Sequence, residues 1–112
     1  MSLVAIPKRI FQIEAPLTLT AVYTAITSKH LLKEITLCNT GNAATEVSLA
    51  VLPNGETLGT SHYVFKDLTL GRGETKIIQI SLVLEPSDQL HAIGGSTGIS
   101  CYCSGVEFLE VS

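Results

Sequence analysis

The 112-residue sequence carries little charge: Asp, Glu, Lys and Arg make up 15% of it, against about 25% in an average globular protein. Seven basic and ten acidic residues give a formal net charge of −3. Because there is no basic run, we expect no binding to nucleic acid through its phosphates. No apolar stretch approaches the roughly 18 residues of a membrane-spanning helix, and residues 1–9 do not resemble a signal peptide. A hydrophobic content of 46% excludes a disordered chain.

Cysteine is also scarce, and tryptophan is absent. Three cysteines are too few, and odd in number, for the disulfide framework of a small secreted domain. Cys101 and Cys103 would share one face of an extended strand, with Cα atoms near the ~7 Å limit for a disulfide. We therefore interpret them, together with Cys38, as small buried hydrophobic residues of a protein made in a reducing cytoplasm.

Apolar and polar residues alternate with a period of two through most of the sequence, which is typical of half-buried strands. Gly, Asn, Asp and Pro separate the alternating segments and predict turns. No segment of ten residues or more has a helical period. These patterns predict an all-β fold: an antiparallel β-sandwich of about eight strands, immunoglobulin-like or jelly-roll-like, as a single domain over residues 1–112. The predicted strands are 17–24, 31–39, 45–52, 63–70, 75–84, 88–93, 98–104 and 106–111.

Several apolar residues interrupt the polar sides of these strands: Val22, Leu32, Ile77 and Val83. A domain of this size cannot bury both faces of every strand, so we expect some apolar surface to meet a partner. The first 16 residues differ from the rest, because Pro7 and Pro16 bracket a short apolar piece with charged ends. This piece is either an edge strand of the sandwich or an arm that docks on a neighbouring subunit.

Residues for catalysis or metal binding do not form a recognisable group. His30, His62 and His91 lie in separate predicted elements, and neither His-Glu-x-x-His nor Cys-x-x-Cys occurs. The glycine-rich segments 71–74 and 94–98 are too short for a phosphate-binding loop, and no helical pattern follows them. Most carboxylates lie at strand ends or on polar faces. We therefore expect no enzymatic activity, no metal and no cofactor.

Five segments in order carry a resemblance to a known family. Residues 32–40 end in Cys-Asn-Thr, 46–53 end in Leu-Pro, 67–75 contain Leu-Gly-Arg-Gly-Glu, 82–92 contain Pro-Ser-Asp-Gln-Leu-His-Ala, and 99–107 end in Ser-Gly-Val-Glu. This pattern resembles the small β-sandwich structural proteins of tailed bacteriophages, found among tail, neck, baseplate and decoration components. The similarity covers about residues 30–110 and implies a virion component without enzymatic activity, made in the cytoplasm of a bacterial host.

The hypothesis that follows is a homo-oligomer that also contacts other virion proteins, through apolar surfaces, strand edges and the N-terminal segment. Within that segment, we expect Ile6, Ile10 and Phe11 to make contacts between subunits. An alternative is a carbohydrate- or protein-binding module, for which Tyr23, Tyr63 and Tyr102 are the available aromatic residues. A cupin-type metal enzyme is disfavoured because such a site needs several histidines on a few strands.

Overall fold

The computed structural model describes residues 2–111 as two antiparallel four-stranded sheets. Their orders are β1-β8-β3-β6 and β2-β7-β4-β5. The fold class predicted from the alternation, an antiparallel sandwich of eight strands, is confirmed. Within the described range there is no α-helix, and thus none that could cross a membrane. The strands are β1 (Ser2–Glu14), β2 (Thr20–Thr24), β3 (Lys29–Asn39), β4 (Thr45–Leu52), β5 (Tyr63–Leu70), β6 (Thr75–Leu84), β7 (Gln89–Gly94) and β8 (Ile99–Val111).

The predicted strands at 45–52, 63–70 and 75–84 have the observed bounds. The strand predicted over 17–24 begins only at Thr20, because the chain crosses there from the sheet of β1 to the sheet of β2. The two strands predicted on either side of Gly105 are one continuous strand, β8. Gly105 does not form a turn: it lies against β3, where a Cβ would overlap the carbonyl oxygen of Leu31.

The core lies between the two sheets and contains side chains from most of the strands. Full burial of a large aliphatic side chain stabilises the folded state by about 1.5–3 kcal/mol, so this cluster provides most of the stabilising free energy. Its larger members are Ile10, Phe11, Leu32, Ile35, Leu37, Val47, Leu49, Leu70, Leu84, Leu90 and Ile99, with Cys101 and Cys103 beside them.

β-Bulges explain where the predicted faces are wrong. A shift in the pairing of β1 with β8 between Arg9 and Phe11 lets two consecutive residues, Ile10 and Phe11, point inward. A shift in β3 on either side of Lys33 places Leu32 on the core side, where it is fully buried. Alternation alone assigned Leu32 to the polar side, because one extra residue in a strand reverses the faces beyond it.

A buried asparagine joins the turns at one end of the sandwich, which we call the closed end. The amide nitrogen of Asn39 donates to the carbonyl oxygens of Ala43 at 2.8 Å and of Leu70 and Gly71 at 3.2 Å each. Its side-chain oxygen accepts from the backbone N–H of Gly41 at 2.9 Å. The Asn39 side chain is fully buried, and these bonds link the β3–β4 turn to the β5–β6 turn.

The opposite end carries a two-stranded extension. β1 and β8 pair from Ser2 with Val111 to Glu14 with Ser100, whereas β3 pairs with β8 only as far as Lys29 with Phe108. Residues 2–6 and 107–111 form what we call the ribbon, and its outermost pairs have no third strand beside them. The ribbon contributes to an elongated shape with extents of 51 × 28 × 17 Å. We call this the ribbon end.

Candidate functional site

The three histidines lie apart, as their positions in the sequence predicted, and each has local partners. His62 accepts from the Gly59 backbone N–H through Nδ1 at 2.8 Å and lies 2.8 Å from the Glu56 carboxylate through Nε2. His91 pairs with the side chain of Gln89 at 3.0 Å. No group of three metal-ligating side chains occurs among residues 2–111. These contacts hold loops and strands in place.

His30 is buried within a polar cluster at the base of the ribbon. Its Nδ1 lies 3.1 Å from the carbonyl oxygen of Ser28, and its Nε2 lies 2.9 Å from the hydroxyl of Tyr23. A carbonyl can only accept, so Nδ1 carries the hydrogen and Nε2 accepts from Tyr23. Because the imidazole is bonded to Tyr23 rather than to the Ser28 hydroxyl, the cluster does not form a nucleophile and base pair of the kind that hydrolases use.

Glu107 connects this cluster to the ribbon. Its carboxylate accepts from the Ser28 hydroxyl at 2.5 Å and lies 3.4 Å from the Lys8 ammonium. The hydrogen bond from Ser28 lowers the pKa of Glu107, and the charge of Lys8 acts in the same direction against the opposing effect of burial. The charged carboxylate of Glu107 therefore links β8 to Lys8 of β1 and to Ser28 in the β2–β3 connection.

The cysteines provide no reactive site. Cys101 and Cys103 are buried in the core, as predicted, and burial raises the pKa of their thiols to about 11 and about 12 respectively. A thiol with so high a pKa is protonated at neutral pH and is a poor nucleophile. Cys38 is only half-buried, so the prediction that it belongs to the buried set does not hold fully.

The three residues predicted to make subunit contacts have different surroundings. Ile6 lies on the ribbon and is 41% exposed. Ile10 and Phe11 are 5% and 7% exposed and belong to the core of their own chain. The prediction that Ile10 and Phe11 make contacts between subunits needs correction, because the β1 bulge turns both side chains into the core. Ser2–Glu14 of the N-terminal segment form an edge strand that pairs with β8.

Exposed apolar side chains are concentrated at the ribbon end. Two that alternation predicted, Ile77 and Val83, are indeed exposed on β6, at 63% and 50%. Val22 instead packs partly against the core, next to a bulge in β2. Nine large apolar side chains are exposed among those that the structure describes, and Ile77, Leu17 and Tyr102 lie away from this end. The other six are Leu3, Val4, Ile6, Ile26, Val83 and Leu109.

Register shifts interrupt the pairing of all four edge strands. They occur in the pairing of β1 with β8, of β2 with β7, of β3 with β6 and of β4 with β5. Bulges hinder an edge from accepting a further strand. The ribbon part of β1 differs, because its pairing with β8 is regular from Ser2 to Arg9. The candidate site is therefore the set of exposed apolar side chains at the ribbon end together with the open edge of β1.

Sequence reasoning missed the ribbon and the cluster at its base. Gly105 suggests a bulge or a tight bend between two predicted strands, so the sequence did not predict the length of β8. The partners Ser28 and Glu107 are 79 positions apart, and only the pairing of β3 with β8 brings them together.

No protein-family model matches the chain, and no curated protein matches it. Solved structures share its fold. A chain from Bacillus endospore appendages, which form a novel family of disulfide-linked pili, aligns with 98% of this chain and 90% of its own length, with a TM-score of 0.57 and 12% identity. A chain from the T13 IBDV viral particle aligns with 96% of this chain but 31% of its own length, with a TM-score of 0.57 and 14% identity. A chain from the acidic stable capsid of Helicobacter pylori bacteriophage KHP30 aligns over 96% and 92%, with a TM-score of 0.53 and 12% identity. At such identities the similarity is one of fold.

Proposed function

We propose that residues 1–112 form a single β-sandwich domain that serves as a non-enzymatic structural subunit of a bacteriophage or prophage particle. The subunit assembles as a homo-oligomer and contacts other virion proteins. It needs no cofactor, and it resides in the virion after synthesis in the bacterial host. The observation that carries this proposal is the set of six exposed apolar side chains at the ribbon end. Such a surface is typical of an interaction site.

The structural similarities support the same role. The matching chains come from a viral particle, a phage capsid and a pilus, three kinds of assembly built from protein subunits. Fold alone does not determine function, so the surroundings of the histidines and cysteines matter as well. The histidines bond to local partners and the buried thiols have raised pKa values. A structural role agrees with these locally bonded histidines and buried thiols and with the exposed apolar side chains.

The solution mass tests the proposal. We expect light scattering behind a sizing column to show one defined oligomer whose mass is the same at two protein concentrations about tenfold apart. Electron microscopy of the same fraction should show closed rings or other regular particles, because homo-oligomers are usually symmetric. A monomer at both concentrations contradicts the homo-oligomer.

A binding module is the second candidate, and one observation favours it. Tyr102 is 40% exposed and lies beside Gln12 and Thr36 in the sheet, so an aromatic ring is flanked by polar side chains, as sugars require. Tyr23 is bonded to His30, and Lys66 lies 5.6 Å from the ring centre of Tyr63. A glycan-array signal that Tyr102→Ala abolishes and Tyr63→Ala retains would favour this candidate.

A further inference from the structure

The backbone of the ribbon has groups that its own chain does not use. β1 is an edge strand, and Pro7 lies opposite Val106 of β8. Proline has no N–H, so in a sheet its nitrogen faces away from the neighbouring strand. Backbone groups alternate in direction along an antiparallel strand. The N–H and C=O groups of Leu3 and Ala5 therefore also point away from β8, toward the open edge.

The side chains of this stretch are compatible with a neighbouring strand. Residues 2–6 are Ser-Leu-Val-Ala-Ile and carry no charge, and Leu3 and Val4 are 64% and 41% exposed. Farther along β1, Lys8, Arg9 and the bulge protect the edge, since charges and bulges discourage pairing. An exposed, regular and apolar strand edge such as residues 3–6 is a ready template for another strand.

We infer that two copies of this chain pair through residues 2–6 of β1, antiparallel across a two-fold axis, so that the two ribbons form one continuous sheet. Leu3 of one copy lies opposite Ala5 of the partner subunit. This register exchanges about four backbone hydrogen bonds, two for each such pair. Val4 lies opposite Val4 of the partner subunit, on the axis.

A second copy is the occupant that these observations favour. The unpaired groups occur at Leu3 and Ala5, two positions placed symmetrically about Val4, so the edge is complementary to itself under a two-fold rotation. The stretch is uncharged, so the pairing brings no like charges together, which would be unfavourable across strands. The inference rests on the proposed homo-oligomer and names its contact.

A charge on the axis tests the pairing. Val4→Lys places two ammonium groups opposite each other and should weaken association about tenfold or more, as measured by sedimentation equilibrium. Ile77→Lys is the matched control, because Ile77 is also exposed on an edge strand but lies outside the ribbon, and it should associate like the wild type. Circular dichroism and the melting temperature show whether both variants are folded.

A crosslink tests the register. In the proposed pairing, the two Val4 Cα atoms are about 4.5 Å apart, within the range that a disulfide spans. Val4→Cys should therefore give a covalent dimer under mild oxidation, whereas Ile77→Cys should stay monomeric in non-reducing electrophoresis.

The outcomes separate the two proposals. If the wild type is an oligomer that Val4→Lys leaves intact, and Val4→Cys forms no crosslink, the β1 pairing is overturned and the structural role stands. If the wild type is a monomer at every concentration, the homo-oligomer itself fails. Weaker association of Val4→Lys, together with the Val4→Cys crosslink, supports both.

Discussion

The two ends of the sandwich differ in which of their groups find partners within the chain. At the closed end, a buried amide satisfies three carbonyl oxygens and one N–H, and its bonds join two turns. At the ribbon end, two strands run beyond the third, large apolar side chains face solvent, and charged groups stand at the base. The closed end therefore bonds its buried polar groups within one chain, whereas the ribbon end leaves apolar side chains and a strand edge exposed.

The largest effect should distinguish the two halves of β1. Phe11→Ala removes a core side chain and should lower the free energy of unfolding by about 3–5 kcal/mol. Ile6→Ala, on the exposed ribbon, should change it by no more than about 0.5 kcal/mol. Urea denaturation of both variants, at a concentration where the protein is dissociated, measures the difference. Equal losses would mean that the ribbon is part of the core or that Phe11 lies outside it.

The division within β1 also shows how far sequence reasoning reaches. Alternation predicts the strands and the sandwich because the side-chain period of a strand is two. It failed at Leu32, because a bulge inserts one residue and leaves no sign in the order of residue types. The bulge in β1 likewise turns Phe11, expected as a subunit contact, into the core. The exposure of Ile77 and Val83 followed from the pattern, because burial on β6 alternates regularly from Thr75 to Leu84. The contact of Glu107 with Ser28 depends on strand pairing, which local periodicity does not contain.

The free energy of unfolding should depend on Asn39 at the closed end. Asn39→Ala removes the donor to the carbonyl oxygens of Ala43, Leu70 and Gly71, of which that of Leu70 lies in a buried contact. It should lower the free energy of unfolding by about 2–3 kcal/mol. Thr40→Ala is the matched control, because the Thr40 hydroxyl donates to the Gly98 carbonyl at 2.7 Å from an exposed position; it should cost about 1 kcal/mol or less. Neither substitution touches the ribbon, so the oligomeric mass should not change. A dissociated Asn39→Ala oligomer would place a subunit contact at the closed end as well.

The stability that Glu107 contributes at the base of the ribbon should depend on pH. The pKa of Glu107 is lower in the folded chain than its ordinary value, so the charged carboxylate stabilises the fold above about pH 4.5, and this contribution is lost as the pH falls through the lowered pKa. Glu107→Gln should cost about 1 kcal/mol at pH 7, because a partly exposed ion pair is screened by solvent. The difference from the wild type should shrink in acid.

Denaturation of the wild type and Glu107→Gln at pH 7 and pH 3 measures this dependence. Glu110→Gln makes the same change at an exposed ribbon position and should have little effect at either pH. A Glu107→Gln cost that stays constant between the two pH values would mean that the carboxylate charge does not stabilise the ribbon base.

The smallest effect concerns one strained turn at the ribbon end. Turns at both ends use glycine at positive φ, Gly73 at 70° and Gly98 at 92° at the closed end and Gly55 at 82° between β4 and β5, whereas the β6–β7 turn has Ser87 at 77°. Pro86 is the second residue of this turn, and Asp88 closes it with a bond from its N–H to the Glu85 carbonyl at 3.0 Å, as in a type II turn. A serine is strained at this φ, so Ser87→Gly should raise the free energy of unfolding by about 0.5 kcal/mol, the relief of strain being partly offset by a more flexible unfolded chain. Ser87→Ala keeps the Cβ and should bring no gain. If both variants unfold alike, the backbone conformation at the ribbon end carries no cost, and the contrast between the two ends rests on exposed side chains alone.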